Sequence, residues 1–182
     1  QVKCFSNLRQ IATSSVMYAD ANGGWSPALG VPWGRVPFWA LVVQSDADSE
    51  SYSERSVLVC PSGNREHGGS MTRTYAVSVT GLTGRPGERA DFDAEVVHIP
   101  LWNIRRPSEI AWYVDSEAAP VTGTAPPPTR TISTIDFRDA NHVPARLGYY
   151  HASTKPVYSF VRFDTSTGSH TKVPEPWLTP LP

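Results

Sequence analysis

Histidines are the side chains in this sequence best suited to binding a metal or moving a proton near neutral pH. The sequence has five of them: His67, His98, His142, His151 and His170. None stands in the HxH, HExxH or paired-histidine spacing that zinc sites use. The sequence also lacks a GxSxG elbow, a P-loop and a GxGxxG motif. Because no spacing selects a catalytic histidine, we expect no enzymatic activity.

Carboxylates offer a second kind of chemistry. Asp46, Asp48 and Glu50 alternate along an acidic, polar segment and could present hard oxygen ligands to calcium. The glycine and the distant bidentate glutamate of an EF-hand are missing, so the favoured interpretation is a solvated loop and calcium binding is the weaker alternative. Glycoside hydrolysis uses a pair of carboxylates. Their spacing in the sequence selects no two of the further candidates, which are Asp91, Asp93, Glu95, Asp115, Glu117, Asp136 and Asp139.

Composition bounds the class of protein. A chain of 182 residues fits one domain with a sizeable core. The 16 basic and 17 acidic residues form no basic cluster, which argues against a nucleic-acid partner or an anionic membrane surface. The 17 prolines and 13 glycines favour turns and short extended segments over a helical bundle. No apolar run reaches the roughly 20 residues that span a bilayer.

The N-terminal segment has the spacing of an amphipathic helix. Residues recur at alternating steps of four and three and therefore share one face: Cys4, Leu8, Ile11, Ser15 and Tyr18. Asn22, Gly23 and Gly24 accept the left-handed backbone that ends a helix. We predict one helix from about Val2 to Ala21 whose packing face includes Leu8, Ile11, Ser15 and Tyr18. Arg9 and Asp20 should point to solvent.

The rest of the sequence favours short strands. Residues 107–116 predict a turn followed by a strand that is apolar on both faces and therefore central in a sheet. Residues 38–43 fit either a short helix or a strand, and the proline-rich residues 174–182 cannot form a central strand. The expected class is α+β, with the N-terminal helix packed on an antiparallel β-sheet of four to six strands with long loops. Further strands are expected at residues 56–60, 72–79, 157–164 and 168–173.

Several residue identities resemble those of type IV pilin-like proteins, and more closely type II secretion pseudopilin-like proteins with a prepilin-type N-terminal methylation segment. The match is strongest near the N-terminus, at Cys4, Asn7-Leu8-Arg9-Gln10-Ile11, Tyr18-Ala19-Asp20, Asn22-Gly23 and Pro27. Further matches follow at Cys60-Pro61-Ser62, Thr74–Ser78 and Pro107–Ser116, and a looser one at His151, Phe160–Asp164 and Gly168-Ser169-His170.

This resemblance implies a single pilin-like domain over residues 1–182. Residues 1–22 would be the C-terminal half of the spine helix, and residues 23–182 a globular, β-rich head. A basic leader and an apolar membrane anchor of about 20 residues would precede Gln1. The protein would then be a non-catalytic structural subunit in the inner membrane and periplasm, or on the cell surface, of a bacterium. Its partners would be other pilin-like subunits and the secretion or pilus assembly machinery, with no nucleic acid and no cofactor.

The resemblance also bears on the two cysteines. Cys4 and Cys60 both lie in segments that match the family, and the head of such a protein lies outside the cytoplasm, where disulfides persist. We therefore expect a disulfide between them. The alternative, two free cysteines buried as small apolar side chains, stays open.

Tryptophans support a different class of function. A periplasmic or secreted carbohydrate-binding module could use exposed indole rings as stacking platforms for sugars. The candidates are Trp25, Trp33, Trp39, Trp102, Trp112 and Trp177.

Overall fold

The computed structural model describes residues 1–29, 39–44, 56–80, 82, 97–118, 128–151, 155, 157–178 and 180–181, apart from the side chain of His142. Its helices are α1 (Val2–Ala21), α2 (Trp39–Gln44), α3 (Pro61–Glu66) and α4 (His142–Arg146). Two short 3₁₀ turns cover Leu101–Asn103 and Glu175–Leu178. Because α2 is helical, the choice left open for residues 38–43 is decided in favour of a helix from Trp39 onward; Phe38 lies outside the described residues.

In the described part of the chain, five strands form one sheet, within the expected number. They are β1 (Tyr75–Ser78), β2 (Ala111–Asp115), β3 (Thr134–Ile135), β4 (Tyr158–Arg162) and β5 (Thr167–His170). Their order across the sheet is β3-β1-β2-β4-β5. As expected from its apolar sequence, β2 is the central strand and all of its residues are buried. The protein is therefore α+β with an N-terminal helix.

One strand pair corrects the prediction of a wholly antiparallel sheet. β1–β2, β2–β4 and β4–β5 are antiparallel, but β3 pairs with β1 in parallel, with Val77 opposite Thr134. The cause is the long connection over residues 116–133. A connection of a dozen or more residues allows the chain to return on the far side of β1 and to run in the same direction as that strand.

Helix α1 buries the predicted face with one exception. Leu8, Ile11 and Ser15 are buried, and Arg9 and Asp20 are exposed, as expected. Tyr18 is only partly buried. At 3.6 residues per turn it lies about 60° around the helix from Ser15, at the margin of the buried stripe. The next residue, Ala19, is buried and takes part in the packing at this turn of the helix.

The buried face of α1 packs on one side of the sheet. Leu8 and Ile11 belong to the same apolar cluster as Trp112 and Val161. Ser15 Oγ donates to the Ile11 carbonyl at 3.0 Å and lies 2.7 Å from the hydroxyl of Tyr113. Because the Ser15 proton is directed to Ile11, the Tyr113 hydroxyl donates to Ser15. Burial raises the pKa of Tyr113, which keeps this hydroxyl protonated.

The opposite side of the sheet has its own cover. Ala76, Val114 and Phe160 project there and pack with Trp177 from the C-terminal 3₁₀ turn. The Trp177 indole donates to the Glu109 carbonyl at 2.8 Å. The described part of the proline-rich C-terminal segment is not a central strand, as expected, and its Trp177 helps to close the back of the sheet.

The strand predicted over residues 56–60 is wrong. This segment is a turn in which the Val59 N–H donates to the Ser56 carbonyl at 3.1 Å. Isolated hydrogen bonds, and not a strand ladder, join this turn to the residues just before β1. In one of them the Cys60 N–H donates to Thr74 Oγ1 at 2.6 Å. Pro61 is the physical cause, because it has no N–H to extend a ladder and its fixed φ suits the start of α3.

Candidate functional site

The two cysteines of the chain join helix α1 to the turn before α3. Cys4 and Cys60 form a disulfide with their Cα atoms 5.0 Å apart. Cys4 lies in the first turn of α1, and Cys60 immediately precedes α3. Both are buried. The structure thus has the pairing that the resemblance implied, and neither cysteine is free.

A histidine and a carboxylate lie against this disulfide. His151 Nε2 is 3.6 Å from Cys60 Sγ and 3.1 Å from Asp115 Oδ2. Two backbone hydrogen bonds with Val157 hold His151 just before β4. Asp115 is the last residue of β2. Both side chains are buried, and together with the disulfide they form what we call the cystine–His151–Asp115 cluster.

The carboxyl of Asp115 is a buried acceptor. Its Oδ2 also accepts the Ser159 N–H at 2.5 Å, and its Oδ1 has no hydrogen-bond partner among the described residues. Burial raises the pKa of Asp115 above the ordinary value, while hydrogen bonding to His151 and Ser159 and the charge of His151 act in the opposite direction. Tyr75 lies opposite Asp115 in the sheet, and its own pKa is raised by burial and by that carboxylate.

The geometry of the cluster argues against catalysis at this point. A catalytic base must reach a bound substrate, but both titratable side chains of the cluster are almost wholly buried. Thiolates, not a disulfide, act as nucleophiles and metal ligands. In the oxidised form the cluster is therefore a polar part of the core, where it ties α1, α3, β2 and the start of β4 together.

The other histidines lie elsewhere. His67 Nε2 is 2.9 Å from Tyr150 Oη and 3.2 Å from Glu117 Oε1. His98 Nδ1 is 2.7 Å from the Ser26 carbonyl. The remaining candidates, including the three proposed calcium ligands, lie outside the described part of the chain: Asp46, Asp48, Glu50, Asp91, Asp93, Glu95 and the side chain of His142.

Two further candidate carboxylates have structural partners. Asp136 pairs with Arg138 at 2.9 Å, and both side chains are largely buried. Asp139 Oδ1 accepts the Asn141 N–H at 2.8 Å, just before α4. These contacts give both groups a role in local structure.

The tryptophans divide into two groups. Trp39, Trp112 and Trp177 are buried and belong to the core. Trp25 and Trp102 are 45% and 60% exposed, and their rings meet edge to face at 5.2 Å and 80°. Trp33 lies outside the described residues. Only the Trp25–Trp102 pair is therefore exposed among the tryptophans that the structure describes.

His170 gives a pH prediction. Its ring stacks on Phe160 at 4.8 Å, and burial, followed by the charge of Arg162, lowers its pKa from 6.5. Because the unfolded chain binds this proton first, the stabilisation is present above about pH 6.5 and is lost as the pH falls through the folded-state pKa. We expect a modest loss of stability between about pH 8 and pH 5 in urea unfolding.

The His170→Gln variant should show a smaller loss over the same pH range. Ser169→Ala, on the same strand, should keep the wild-type pH dependence. An unchanged slope in His170→Gln would contradict the assignment.

Comparison with known proteins adds no family assignment. No family model, curated protein or solved structure matches this chain. Among the helices of the described residues, none combines the length and the apolar character needed to span a bilayer.

The cystine–His151–Asp115 cluster is the feature that sequence reasoning missed. His151 and Asp115 were each candidates, but 36 positions separate them and no local motif links them. The two residues meet only because β2 and β4 are neighbours in the folded sheet, and the sequence carries no local signal of that pairing.

Proposed function

We propose that this chain is the head of a non-catalytic, pilin-like structural subunit, of the type II secretion pseudopilus or a related filament. The observation that carries the proposal is the two-sided character of α1. One face of this 20-residue helix packs on the sheet, while the other face is open along its length. In a helical filament such a face would pack against neighbouring subunits.

The open face of α1 suits helix packing. Val2 and Met17 are 83% and 67% exposed, although both are apolar. Ser6, Gln10 and Thr13 are also exposed and carry no charge, while the exposed charged residues of the helix are Lys3, Arg9 and Asp20. A neighbouring helix can bury the uncharged side chains at a small desolvation cost, whereas buried charges would have to be paired.

The attachment of α1 to the head supports the same function. The disulfide fixes the first turn of the helix, and Asn7 Nδ2 donates to the Val59 carbonyl at 2.8 Å a turn later. Further along, Ser15 meets Tyr113 of the central strand. The helix thus has polar or covalent links to the rest of the head at three levels, two to the turn before α3 and one to the sheet, which suits a subunit that holds its head in a fixed orientation.

Photo-crosslinking in cells that express the full-length protein tests this proposal. A benzophenone amino acid replaces Met17 on the open face of α1. The matched control replaces Leu178, which is 44% exposed on the C-terminal turn at the back of the sheet. We expect irradiation to join Met17 variants to a second copy or to a related subunit in membrane fractions.

The control position should give far less of this product. Absence of subunit adducts from Met17, or equal yields from both positions, would overturn the filament proposal. The proposal also places the full-length protein at the inner membrane and periplasm, or at the cell surface, so fractionation provides a second check.

A carbohydrate-binding module is the second candidate function. The exposed Trp25–Trp102 pair favours it, because indole faces stack on the apolar faces of sugars. The test is calorimetric titration with neutral polysaccharides. If this candidate is right, Trp102→Ala loses binding while Tyr149→Ala, at an exposed aromatic elsewhere, keeps it. Lack of binding by the unmodified protein removes the candidate.

A further inference from the structure

The cystine–His151–Asp115 cluster contains the donor atoms of a metal site, with its two sulfur atoms joined. The ligand atoms of Cys4, Cys60 and His151 lie within 4.8 Å of one another. Asp115 adds a carboxylate, whose Oδ2 is 3.1 Å from His151 Nε2. All four residues are buried, on four different segments of the fold.

We propose that reduction of the Cys4–Cys60 disulfide converts this cluster into a closed, four-ligand site for Zn²⁺. The ligands would be the two thiolates, His151 Nε2 and the Asp115 carboxylate. Two thiolates, an imidazole and a carboxylate match the ligand preferences of zinc, and four protein ligands are typical of its structural sites. The inference is independent of the filament function.

Two of the distances already approximate the required geometry. With Zn–S of about 2.3 Å and Zn–N of about 2.1 Å, a tetrahedral site separates S and N by about 3.6 Å. Cys60 Sγ and His151 Nε2 are 3.6 Å apart. Nitrogen and oxygen ligands would be about 3.4 Å apart, compared with 3.1 Å for His151 Nε2 and Asp115 Oδ2. Two movements are needed: the sulfur atoms must separate to about 3.8 Å, and the Asp115 carboxylate, which does not belong to the group of ligand atoms within 4.8 Å of one another, must move closer to them.

Neighbouring groups would orient the ligands. The Ser159 N–H donates to Asp115 Oδ2, the oxygen next to His151 Nε2, and so positions this carboxylate. Thr74 Oγ1 accepts the Cys60 N–H and fixes the backbone of that ligand. Such outer contacts position metal ligands and strengthen binding.

The redox step balances with a dithiol as reductant. The Sγ–Sγ bond breaks, Cys4 and Cys60 become thiols, and the dithiol gives up two electrons and two protons to become a disulfide. Zinc then displaces the two thiol protons to solvent. In the oxidised protein the sulfur atoms remain bonded to each other, so the same side chains should not bind zinc.

Zinc binding is tested on the oxidised and the reduced protein without oxygen. A phosphine, which takes its oxygen from water as it is oxidised, reduces the disulfide and is then removed by gel filtration. Native mass spectrometry with added Zn²⁺ counts bound ions, and the absorption of the Co²⁺-loaded protein reports thiolate ligation. We expect one zinc per reduced chain and none per oxidised chain.

Histidine variants separate this site from incidental binding. His151→Gln should weaken zinc binding to the reduced protein at least about tenfold, while His67→Gln, outside the cluster, should leave it unchanged. No zinc on the reduced chain, or equal affinity in His151→Gln, would overturn the proposal. If the reduced chain unfolds, zinc must restore its circular dichroism spectrum, because site formation and folding are coupled; failure to refold also overturns it.

Discussion

Loss of the Cys4–Cys60 disulfide should lower the free energy of unfolding by about 4 kcal/mol. The bridge closes a loop with a sequence separation of 56. A cross-link of this span restricts the unfolded chain, and the chain-entropy relation gives about 4 kcal/mol for it. The double variant Cys4→Ala and Cys60→Ala, compared with the oxidised wild type by urea unfolding in the presence of a chelator, measures the effect.

Chemical reduction provides the control for that measurement. A phosphine should destabilise the wild type and have no effect on the double variant, which has no disulfide to reduce. Equal urea midpoints for the oxidised wild type and the double variant would contradict the stabilising role of the bridge.

Truncation of the buried face of α1 should have an effect of similar size. Leu8 and Ile11 are fully buried against the sheet. Their replacement by Ala removes apolar contacts and leaves a cavity, and we expect each variant to lose about 2–5 kcal/mol of stability. Met17→Ala, at an exposed position of the same helix, should change stability by no more than about 0.5 kcal/mol.

Urea melts of these three variants under oxidising conditions make the comparison. Because the disulfide is intact in all of them, the differences report the packing of α1 and not its covalent attachment. Small, equal effects for Leu8→Ala, Ile11→Ala and Met17→Ala would show that the helix does not pack on the sheet in solution.

Features set by local spacing could be predicted from the sequence. The helix is found from Val2 to Ala21 because apolar steps of three and four and the Asn-Gly-Gly end are both local signals. The central place of β2 followed from its apolar residues, which suit burial on both faces.

Features set by distant parts of the chain could not be predicted in this way. Periodicity indicates which faces of a strand are buried but not the direction of its neighbour, so the parallel β1–β3 pair was missed. Residues 56–60 are apolar enough for a strand. They form a turn instead, because the Val59 N–H donates to the Ser56 carbonyl and the Cys60 N–H donates to Thr74 Oγ1.

The candidate site shows the same limit. Cys4 and Cys60 were paired because their surroundings resemble a known family, while no motif linked His151 or Asp115 to each other or to the cysteines. Their contact depends on β2 and β4 lying side by side, which brings the end of one strand to the start of the other. The sequence thus named all four members of the cluster but joined only the two cysteines.

The disulfide also determines how the protein responds to mechanical load. Tension applied at Gln1 passes through Cys4 directly to Cys60, so the intervening chain is shielded from the force. When the protein is stretched between its ends in an optical trap, the unfolded oxidised form should reach a shorter contour length than the reduced form. Breaking the bond should release about 200 Å of additional contour length, given a separation of 56 residues and at most about 3.6 Å per residue. In the oxidised protein, only the chain outside residues 4–60 can extend under such a load.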